Sequence, residues 1–481
     1  MGLLTWRVVA AVTGPTSPGP GAGKPNLVVI LTDDQRWDSL SVMPNVRRLL
    51  AGHGVTFENS FVTTSLCCPS RASILTGLYS RHTGVFDNGP PNGGAPAFHD
   101  RSTLAVWLHD AGYRTALIGK YLNGYQKLGQ TYIPPGWDHW IAIAQRHQIK
   151  FFRYLLNEDG KLVSYGRQPQ DYSTTVLSQK ADDFVKDAPE PFFLYLAPIA
   201  PHRPAVPAPE DAGKLSPPPF HPPSLNEADV ADKPWHGRFP PIDATNLQGL
   251  QVLRERILES LLSVDRMVGS LVQTLSARGV LGRTVVMFTS DNGLLLGEHR
   301  LVTKVWPYEE SIRVPLVVRT PWAQAASIDG HLVLNIDLAP TLAELAGVAP
   351  PNRVDGESYA GLLRGRSPPG GWRSSFVVEY LGGASGDDEG TSPQGAVTSG
   401  ARSGEQPPRF EAVRTERYLY VEYDNGWREL YDLDPDPYEL TNRAGDPKYA
   451  QVRQKLAARL QELLASGPVA ATPAEPSPTA S

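Results

Sequence analysis

Four unbroken apolar runs, each ending in polar or charged residues, place the strongest constraint on how this chain folds. The runs are NLVVILTDDQ, YRTALIGK, PFFLYLAPIAPH and RTVVMFTSDNG. Runs without polar alternation are typical of strands that are buried on both faces of a parallel sheet. Ligands bind such sheets outside the carboxyl ends of the strands. The sequence therefore predicts that the polar ends of four distant segments meet in one crevice.

Helical patterns between and after these runs indicate the rest of the architecture. The segment LRERILESLLSVDRMVGSLVQTLSARG places Leu253, Ile257 and Leu261 on one apolar helix face. Between Trp372 and Asn442, the runs SFVVEYL, FEAVRT, RYLYVEY and WRELYDL predict a small antiparallel sheet, followed by a helix over YAQVRQKLAARLQELLA. The fold class predicted is α/β, with a smaller C-terminal α+β domain that contains a short antiparallel sheet.

Length and composition set the domain organisation. A chain of 481 residues suits one large domain and a smaller one. We predict a main α/β domain over 25–370 and a C-terminal subdomain over 371–465 that carries a mobile insertion at 382–408. Residues 1–24 read as a leader, either a degenerate signal peptide or a disordered segment, and residues 466–481 as a disordered tail. Export to the periplasm or the extracellular space is expected, with the cytoplasm as the alternative.

Charge and hydropathy exclude several classes of function. The net charge of −5 argues against a nucleic-acid-binding protein, which needs a basic face. The sequence contains no stretch of 18 or more apolar residues, so no membrane-spanning helix is expected. Its two cysteines are adjacent, so they predict neither a disulfide framework nor a zinc site.

Acidic and amide side chains follow two of the predicted strands. Asp33 and Asp34 come after the first strand, and Asp291 and Asn292 after the last. Oxygen ligands with three carboxylates suit a hard divalent cation, Ca²⁺ or Mg²⁺, rather than zinc. The alternative is that the two pairs only end strands and begin turns.

Four further residues supply positive charge or protons from separate segments: Arg71, Lys120, His202 and Lys304. Beside a cation, such a set would bind an oxyanion ester and stabilise the charge that develops on its oxygens. In the competing interpretation, the two lysines are solvated surface residues and His202 only packs within a loop.

The two cysteines lie in SLCCPSRASILTG, where Pro69 and Gly77 mark the start and the end of a predicted helix. A thiol at a helix N-terminus is a candidate low-pKa nucleophile. Alternatively, the pair consists of two small buried hydrophobic residues.

The motif Cys67-x-Pro-Ser-Arg71-x-x-x-Leu-Thr-Gly77 resembles the signature of the sulfatase family at every fixed position. The resemblance extends from about Pro25 to about Asn442. It includes LTDDQ, GKYLN, APIAPHRP, TSDNG, YEESIRVPLVVR and LYDLDPDPYELTN. The chain looks most similar to the N-acetylglucosamine-6-sulfatase and heparan 6-O-endosulfatase branch. The resemblance implies an alkaline-phosphatase-like α/β/α sandwich with a smaller C-terminal domain.

The resemblance also implies a chemistry: release of inorganic sulfate from a sulfated sugar, as in glycosaminoglycan degradation, or from an aryl sulfate. A formylglycine-generating enzyme would oxidise Cys67 to Cα-formylglycine, and one hydroxyl of the hydrated aldehyde would attack sulfur. Arg71 would stabilise this diol, Lys120 and Lys304 would draw charge from the sulfuryl oxygens, and His202 would protonate the leaving alcohol. Asn123 would add a substrate contact. The metal ligands implied are Asp33, Asp34, Asp291, Asn292 and the formylglycine at position 67.

One position departs from many sulfatases, which have a histidine two residues after the lysine equivalent to Lys120. Here that position is Leu122, followed by Asn123, as in the glucosamine-6-sulfatase-like members. The base for collapse of the diol therefore stays unassigned, with His82 and His299 as candidates.

Two rival functions remain open from the sequence. A phosphodiesterase or phosphonate monoester hydrolase would use the same aldehyde, because phosphate and sulfate esters are close in shape. If Cys67 stays a thiol, the crevice could instead bind sulfated glycans without cleaving them.

Overall fold

A computed structural model describes residues 23–145, 149–323, 325–366, 370–382, 406–465 and 467. The leader predicted over 1–24, the insertion over 382–408 and the tail over 466–481 fall outside the described residues except at their edges. The strands are, in chain order, β1 (Asn26–Thr32), β2 (Gly54–Phe57), β3 (Ser60–Phe61), β4 (Arg114–Gly119), β5 (His139–Ile143), β6 (Leu155–Glu158), β7 (Lys161–Ser164), β8 (Phe192–Ala197), β9 (Thr284–Ser290), β10 (Leu316–Arg319), β11 (Ser327–Asp329), β12 (Val333–Leu334), β13 (Ser375–Tyr380), β14 (Phe410–Thr415), β15 (Tyr418–Tyr423) and β16 (Arg428–Asp432).

Helices connect and cover these strands, and short 3-10 turns lie between them. The α-helices are α1 (Cys67–Thr76), α2 (Ser80–Thr83), α3 (Leu104–Asp110), α4 (Ser173–Asp187), α5 (Ala244–Ala277), α6 (Glu309–Ile312), α7 (Leu338–Leu345) and α8 (Ala450–Ala465). No helix of the described residues is both long enough and apolar enough to cross a bilayer.

A ten-stranded mixed sheet forms the centre of the molecule, in the order β11-β2-β10-β9-β1-β8-β4-β5-β6-β7. The five central strands, β9, β1, β8, β4 and β5, are all parallel. They include the four apolar runs, so the prediction of a buried parallel sheet is confirmed. The flanking strands β10 and β6 pair antiparallel to β9 and β5.

Both faces of the sheet are covered, which explains why the central strands lack polar alternation. From β1, Leu27, Val29 and Leu31 pack on one side with residues of α1, α3 and α7. Val28 and Ile30 pack on the other side with residues of α4 and α5. Because successive strand residues point to opposite faces, a strand buried on both sides must be apolar throughout.

Helix α5, the long helix predicted from its apolar spacing, begins at a capping residue. The side chain of Asp243 accepts a hydrogen bond from the backbone N–H of Asn246 at 2.9 Å. Such a bond satisfies one of the backbone donors left open in the first turn. Gly279 follows the helix with a left-handed φ of 75°, where a side chain would be strained.

The C-terminal part contains the predicted four-stranded antiparallel sheet, in the order β13-β14-β15-β16. One face packs against Leu456 and Leu460 of α8. The other face packs against the rest of the chain, where Phe61 and Trp306 belong to the same apolar cluster as Phe376 of β13. The division of the chain at 370/371 stays a prediction.

Candidate active site

The carboxyl ends of the central strands bring the predicted polar residues together. Asp33 and Asp34 follow β1, Lys120 follows β4, and Asp291 and Asn292 follow β9. All five are at most 1% exposed. They come together because parallel strands present their carboxyl ends at the same edge of the sheet.

Cys67 is the first residue of α1, and its side chain faces this charged group. Its Sγ lies 3.5 Å from Asp33 Oδ1, 4.0 Å from Asp34 Oδ1 and 2.8 Å from Lys304 Nζ. Burial raises the pKa of this thiol well above its usual range, although Lys120 and Lys304 oppose the shift. An encoded thiol at this position is therefore protonated, which does not support the hypothesis of a low-pKa thiolate nucleophile.

Cys68 has a different environment from its neighbour. It belongs to the apolar core beneath α1, and its backbone N–H donates to Asn88 Oδ1 at 2.9 Å. Successive helical residues are about 100° apart around the axis, so one cysteine faces the polar site while the next packs into the core. The two cysteines are thus a site residue and a packing residue.

Arg71 and Lys120 hold Asp33 from two directions. Arg71 Nη2 lies 3.4 Å and Lys120 Nζ 2.7 Å from Asp33 Oδ2, in ion pairs without hydrogen-bond geometry. Arg71 Nε donates to Asp291 Oδ2 at 2.7 Å, and its Nη1 donates to the carbonyl oxygen of Lys120 at 2.9 Å. Burial by itself would raise the pKa of Asp33, but Lys120, His202 and Arg71 outweigh it and lower that pKa. Asp33 is therefore ionised despite its burial.

Asp34 is the second carboxylate of the site. Its backbone has a left-handed φ of 61°, uncommon for a residue with a side chain. Its Oδ1 accepts hydrogen bonds from Lys304 Nζ and from Asn292 Nδ2, both at 2.6 Å. Its backbone N–H donates to Asp291 Oδ1 at 3.1 Å. The strained turn thus aims the carboxylate at residues that follow β9 and at the loop that carries Lys304.

His202 completes the group from the segment after β8. Its Nδ1 lies 2.6 Å from the carbonyl oxygen of Arg203, to which only a protonated nitrogen can donate. Its Nε2 lies 3.4 Å from Asp34 Oδ2. Burial lowers the pKa of His202, although the nearby aspartates oppose this shift. The ring is thus neutral with Nε2 unprotonated, which leaves that nitrogen free to accept a proton.

Several oxygens in the site fit a hard divalent cation. Asp33 Oδ2, Asp34 Oδ2 and Asn292 Oδ1 are buried and accept no hydrogen bond. One ligand atom from each of Asp33, Asp34, Cys67 and His202 lies within 4.8 Å of the others. Because the donors are mostly carboxylate and amide oxygens, the set matches the preferences of Ca²⁺ or Mg²⁺. Asp291 lies beside them, but both of its oxygens accept hydrogen bonds, from Arg71 and from Asp34.

The remaining candidates from the sequence make contacts with residues outside this group. Asn123 is buried three residues after Lys120, and its carbonyl oxygen accepts a hydrogen bond from the backbone of Ala95. Leu122 is part of the apolar core. His82 contacts Asp355 at 2.7 Å, and His299 contacts Glu227 at 2.7 Å.

The structure adds two residues that sequence reasoning missed. Arg36 donates to the carbonyl oxygen of Leu294 at 2.7 Å and to Glu298 at 2.8 Å, which ties the turn after β1 to the loop after β9. Ser70 Oγ donates to the carbonyl oxygen of Asp291 at 2.5 Å. Two local features of the sequence could have identified these residues. Arg36 follows the aspartate pair closely, and Ser70 lies inside the signature motif.

Comparison with known proteins agrees with this geometry. An α/β/α architecture with a charged site at the strand ends is that of the alkaline-phosphatase-like enzymes. Within that class, this chain belongs to the sulfatase family, whose sequence profile matches residues 25–348. A second profile, the C-terminal region of N-sulphoglucosamine sulphohydrolase, matches residues 403–466.

Curated relatives include sulfatases of several kinds. The human N-acetylglucosamine-6-sulfatase is 33% identical over 98% of this chain and 90% of its own length. The extracellular sulfatase SULF-1 homolog of Drosophila melanogaster is 35% identical over 75% of this chain. The chain spans only 33% of that relative's length and 49% of the length of its Caenorhabditis elegans counterpart.

Solved structures share the fold along nearly the whole chain. The structure of BT4656 in complex with its substrate, D-glucosamine-2-N,6-O-disulfate, has a TM-score of 0.75 and 26% identity, covering 91% of this chain and 97% of its own. The phosphonate monoester hydrolase of Agrobacterium radiobacter has a TM-score of 0.73 at 23% identity, covering 94% of this chain and 100% of its own. The second likeness concerns the fold alone.

Proposed function

We propose that this chain is a sulfuric ester hydrolase that releases inorganic sulfate from a sulfated amino sugar, with formylglycine at position 67 and a bound divalent cation. The observation that carries the proposal is the position of Cys67. The cysteine of the signature motif lies between two buried aspartates and a buried lysine, 2.8 Å from Lys304 Nζ.

The sugar substrate is proposed from the named relatives. Relatives that match most of this chain are called N-acetylglucosamine-6-sulfatases, in Homo sapiens, Capra hircus and Bos taurus. The substrate in the BT4656 complex is a glucosamine that carries two sulfate groups. An aryl sulfate is a second substrate class to assay, because relatives in Volvox carteri and Chlamydomonas reinhardtii are called arylsulfatases.

The aspartates and the amide at the strand ends would hold the cation. The residues proposed as its ligands are Asp33, Asp34, Asp291, Asn292 and position 67. When bound, Ca²⁺ or Mg²⁺ would withdraw electron density from the sulfuryl group as a Lewis acid. The ordered ion pairs of Asp33 with Arg71 and Lys120 keep its carboxylate ionised and oriented for this role.

A formylglycine supplies what a cysteine cannot: a carbonyl that adds water and presents an oxygen nucleophile. The buried thiol has a raised pKa and is a poor nucleophile in its encoded form. Arg71, which is fully buried four residues later on the same helix, would orient this position. Maturation requires a formylglycine-generating enzyme as a partner during biosynthesis.

The remaining cationic side chains would bind the ester and move the proton. Lys120 and Lys304 would bind sulfuryl oxygens and stabilise their growing negative charge in the transition state. Lys304 Nζ already reaches Cys67 and Asp34, so it lies where the ester must react. His202 Nε2 would take up a proton and pass it to the leaving alcohol, and Asn123 would add a contact to the sugar.

We also propose the organisation that follows from this function. Residues 25–370 would form the catalytic domain, and residues 371–465 the C-terminal subdomain. Export is proposed because the Drosophila melanogaster and Caenorhabditis elegans relatives are named extracellular sulfatases.

A side-by-side assay tests the function. The full chain is co-expressed with a formylglycine-generating enzyme. Sulfate is quantified by ion chromatography, and hydrolysis of the phosphorus esters is followed by the phenol or 4-nitrophenol that they release. We expect sulfate release from glucosamine 6-sulfate and from 4-nitrophenyl sulfate to exceed hydrolysis of bis(4-nitrophenyl) phosphate and phenylphosphonate esters. Faster hydrolysis of the phosphorus esters would instead show that the chain is a phosphodiesterase or a phosphonate monoester hydrolase.

The mass of the peptide containing position 67 completes the test. The aldehyde form is expected in active material. If position 67 is still a thiol in native protein, and this protein binds sulfated glycans without cleaving them, the proposal is wrong. The chain would then be a glycan-binding protein.

A further inference from the structure

A second group of buried ligand-type side chains lies outside the proposed active site. It consists of His299 in the loop after β9, Glu310 in α6 and Glu439 after β16, and is called here the histidine–glutamate cluster. The three residues are 0%, 9% and 1% exposed. One ligand atom from each lies within 4.8 Å of the other two. Glu439, which is distant in the sequence from the other two residues, thus converges with them on one small buried volume.

Each side chain of the cluster is anchored through one polar atom. The anchoring contacts join His299 Nδ1 to Glu227 Oε2 at 2.7 Å, Ser224 Oγ to Glu310 Oε1 at 3.4 Å, and the backbone N–H of Glu309 to Glu439 Oε2 at 3.1 Å. The second polar atom of each side chain, His299 Nε2, Glu310 Oε2 and Glu439 Oε1, is buried without a hydrogen bond. Buried polar atoms are rarely left in this state, and three lie together here.

None of the three free atoms has a hydrogen-bond partner among the described residues, although one ligand atom of each residue lies within 4.8 Å of the others. The ligands of one ion lie close together without being hydrogen-bonded to one another. A central cation would therefore satisfy all three atoms at once.

In the part of the chain that the structure describes, the two carboxyl groups of the cluster also have no basic side chain as a partner. Among the described residues, neither Glu310 nor Glu439 takes part in an ion pair. The nearby basic side chains are engaged with other groups: Arg36 with Glu298 at 2.8 Å, Arg414 with Glu309 at 2.8 Å, and Lys233 with the carbonyl oxygen of Glu439 at 2.6 Å. Burial raises the pKa of both carboxyl groups, to about 8 for Glu310, so without a cation they take up protons. A dication would bind both as carboxylates and replace those protons.

We propose that His299 Nε2, Glu310 Oε2 and Glu439 Oε1 bind a divalent first-row transition metal, with Zn²⁺ as the probe. One imidazole nitrogen with two carboxylate oxygens is a donor set that zinc accepts in proteins. The Nδ1 atom of His299 faces the carboxylate of Glu227, an arrangement that orients a histidine ligand and makes its other nitrogen more basic.

This ion would be structural, and it would fasten the loop that carries Lys304. That loop runs from Asp291 after β9 to α6, and the cluster joins it to the segment after the C-terminal sheet. His299 and Glu439 have left-handed φ values of 51° and 54°, a conformation that the surrounding contacts must maintain. A metal bond to each would offset that strain.

Metal content is the first test. The full chain is produced in medium supplemented with zinc and calcium, desalted, and analysed by inductively coupled plasma mass spectrometry. We expect about one zinc per chain in the wild type, lost in Glu439→Gln and in His299→Ala. Glu309→Gln is the matched control, because Glu309 is an adjacent carboxylate of α6 that pairs with Arg414 and should keep the zinc.

A reciprocal variant separates this site from the active site. Asp34→Asn should keep the zinc while it weakens binding of calcium, so loss of sulfatase activity in that variant does not affect the proposal. A wild-type protein without stoichiometric zinc would overturn it, and so would a Glu439→Gln protein that retains the metal.

Crystallography on the wild type covers the case in which the variants do not fold. Anomalous diffraction above and below the zinc edge should place a peak between His299, Glu310 and Glu439. A zinc peak located elsewhere, or none in zinc-supplemented protein, contradicts the assignment.

Discussion

The ammonium group of Lys304 lies 2.8 Å from the sulfur of Cys67 and 2.6 Å from Asp34 Oδ1. Lys304 is only 5% exposed, so both contacts are made out of bulk water. Electrostatic contacts of this kind are much stronger in a buried site than at the surface. One buried lysine thereby links the proposed nucleophile position to a proposed metal ligand.

Replacing Lys304 tests this link. We expect Lys304→Ala to lower kcat about 10²- to 10³-fold, the usual cost of removing one group that stabilises developing charge. Steady-state sulfate release measures the change. Lys214→Ala is the control, because Lys214 is 55% exposed in its pair with Asp211 and should retain full activity. Equal activity in the two variants would remove Lys304 from the mechanism.

The two cysteines should differ in their effects on turnover. Cys67→Ala is expected to abolish sulfate release, since alanine cannot be converted to an aldehyde. Cys68→Ala should keep most of the activity, because Cys68 packs into the core under α1. Assays on protein co-expressed with the maturation enzyme compare the two. Similar losses in both variants would contradict the assignment of Cys67.

Removal of the divalent cation should stop the reaction. We expect exhaustive dialysis against EDTA to abolish activity, and added Ca²⁺ or Mg²⁺ to restore it. Asn292→Ala removes an oxygen donor without changing the net charge, and should raise the half-saturating metal concentration at least about tenfold. Asn352→Ala, at an exposed position, serves as the control. Full activity after metal removal would refute the proposed cation site.

The packing of α5 against the sheet predicts a large difference between two positions on one helix. Leu261 is fully buried among residues of β1 and α4, whereas Val252 is 38% exposed. Leu261→Ala should lower the free energy of unfolding by about 2–5 kcal/mol, from lost burial and the cavity left behind. Val252→Ala should change it by no more than about 0.5 kcal/mol. Urea unfolding monitored by circular dichroism measures both, and a similar change in the two variants would contradict this packing.

The pair between Glu190 and Arg283 predicts a dependence of stability on pH. Hydrogen bonds from Arg283 lower the pKa of Glu190 to about 2. A carboxyl with a lowered folded-state pKa contributes stability above its unfolded value of about 4.3, and this contribution is lost as the pH falls toward 2. The melting temperature of Glu190→Gln should therefore lie below that of the wild type at pH 7. The difference between the two melting temperatures should become smaller below pH 4.

The matched control for this pair is Glu344→Gln, because Glu344 is 54% exposed and lies 3.9 Å from its arginine partner. Its melting temperature should follow that of the wild type throughout the pH range. If the difference in melting temperature between Glu190→Gln and the wild type stays constant down to pH 3, the lowered pKa of Glu190 is contradicted.

Much of the site was predictable because its residues carry local signals. Asp33, Asp34 and Asp291 each follow an apolar strand directly, and the ends of parallel strands meet by the geometry of the sheet. Cys67 and Arg71 lie within one motif on one helix. The structure brings these residues together as the strand pattern predicts, whereas their individual chemical roles stay proposals.

By itself, the sequence determined the four apolar strands, the long helix, the C-terminal sheet and the candidate metal ligands, since each depends on neighbours along the chain. Only the tertiary structure decided that Cys67 faces the charges while Cys68 enters the core. It also decided that His299, a candidate base, joins Glu310 and Glu439 in a separate cluster. Their convergence depends on how the C-terminal segment packs against the loop after β9, and no local pattern encodes a contact between such distant segments.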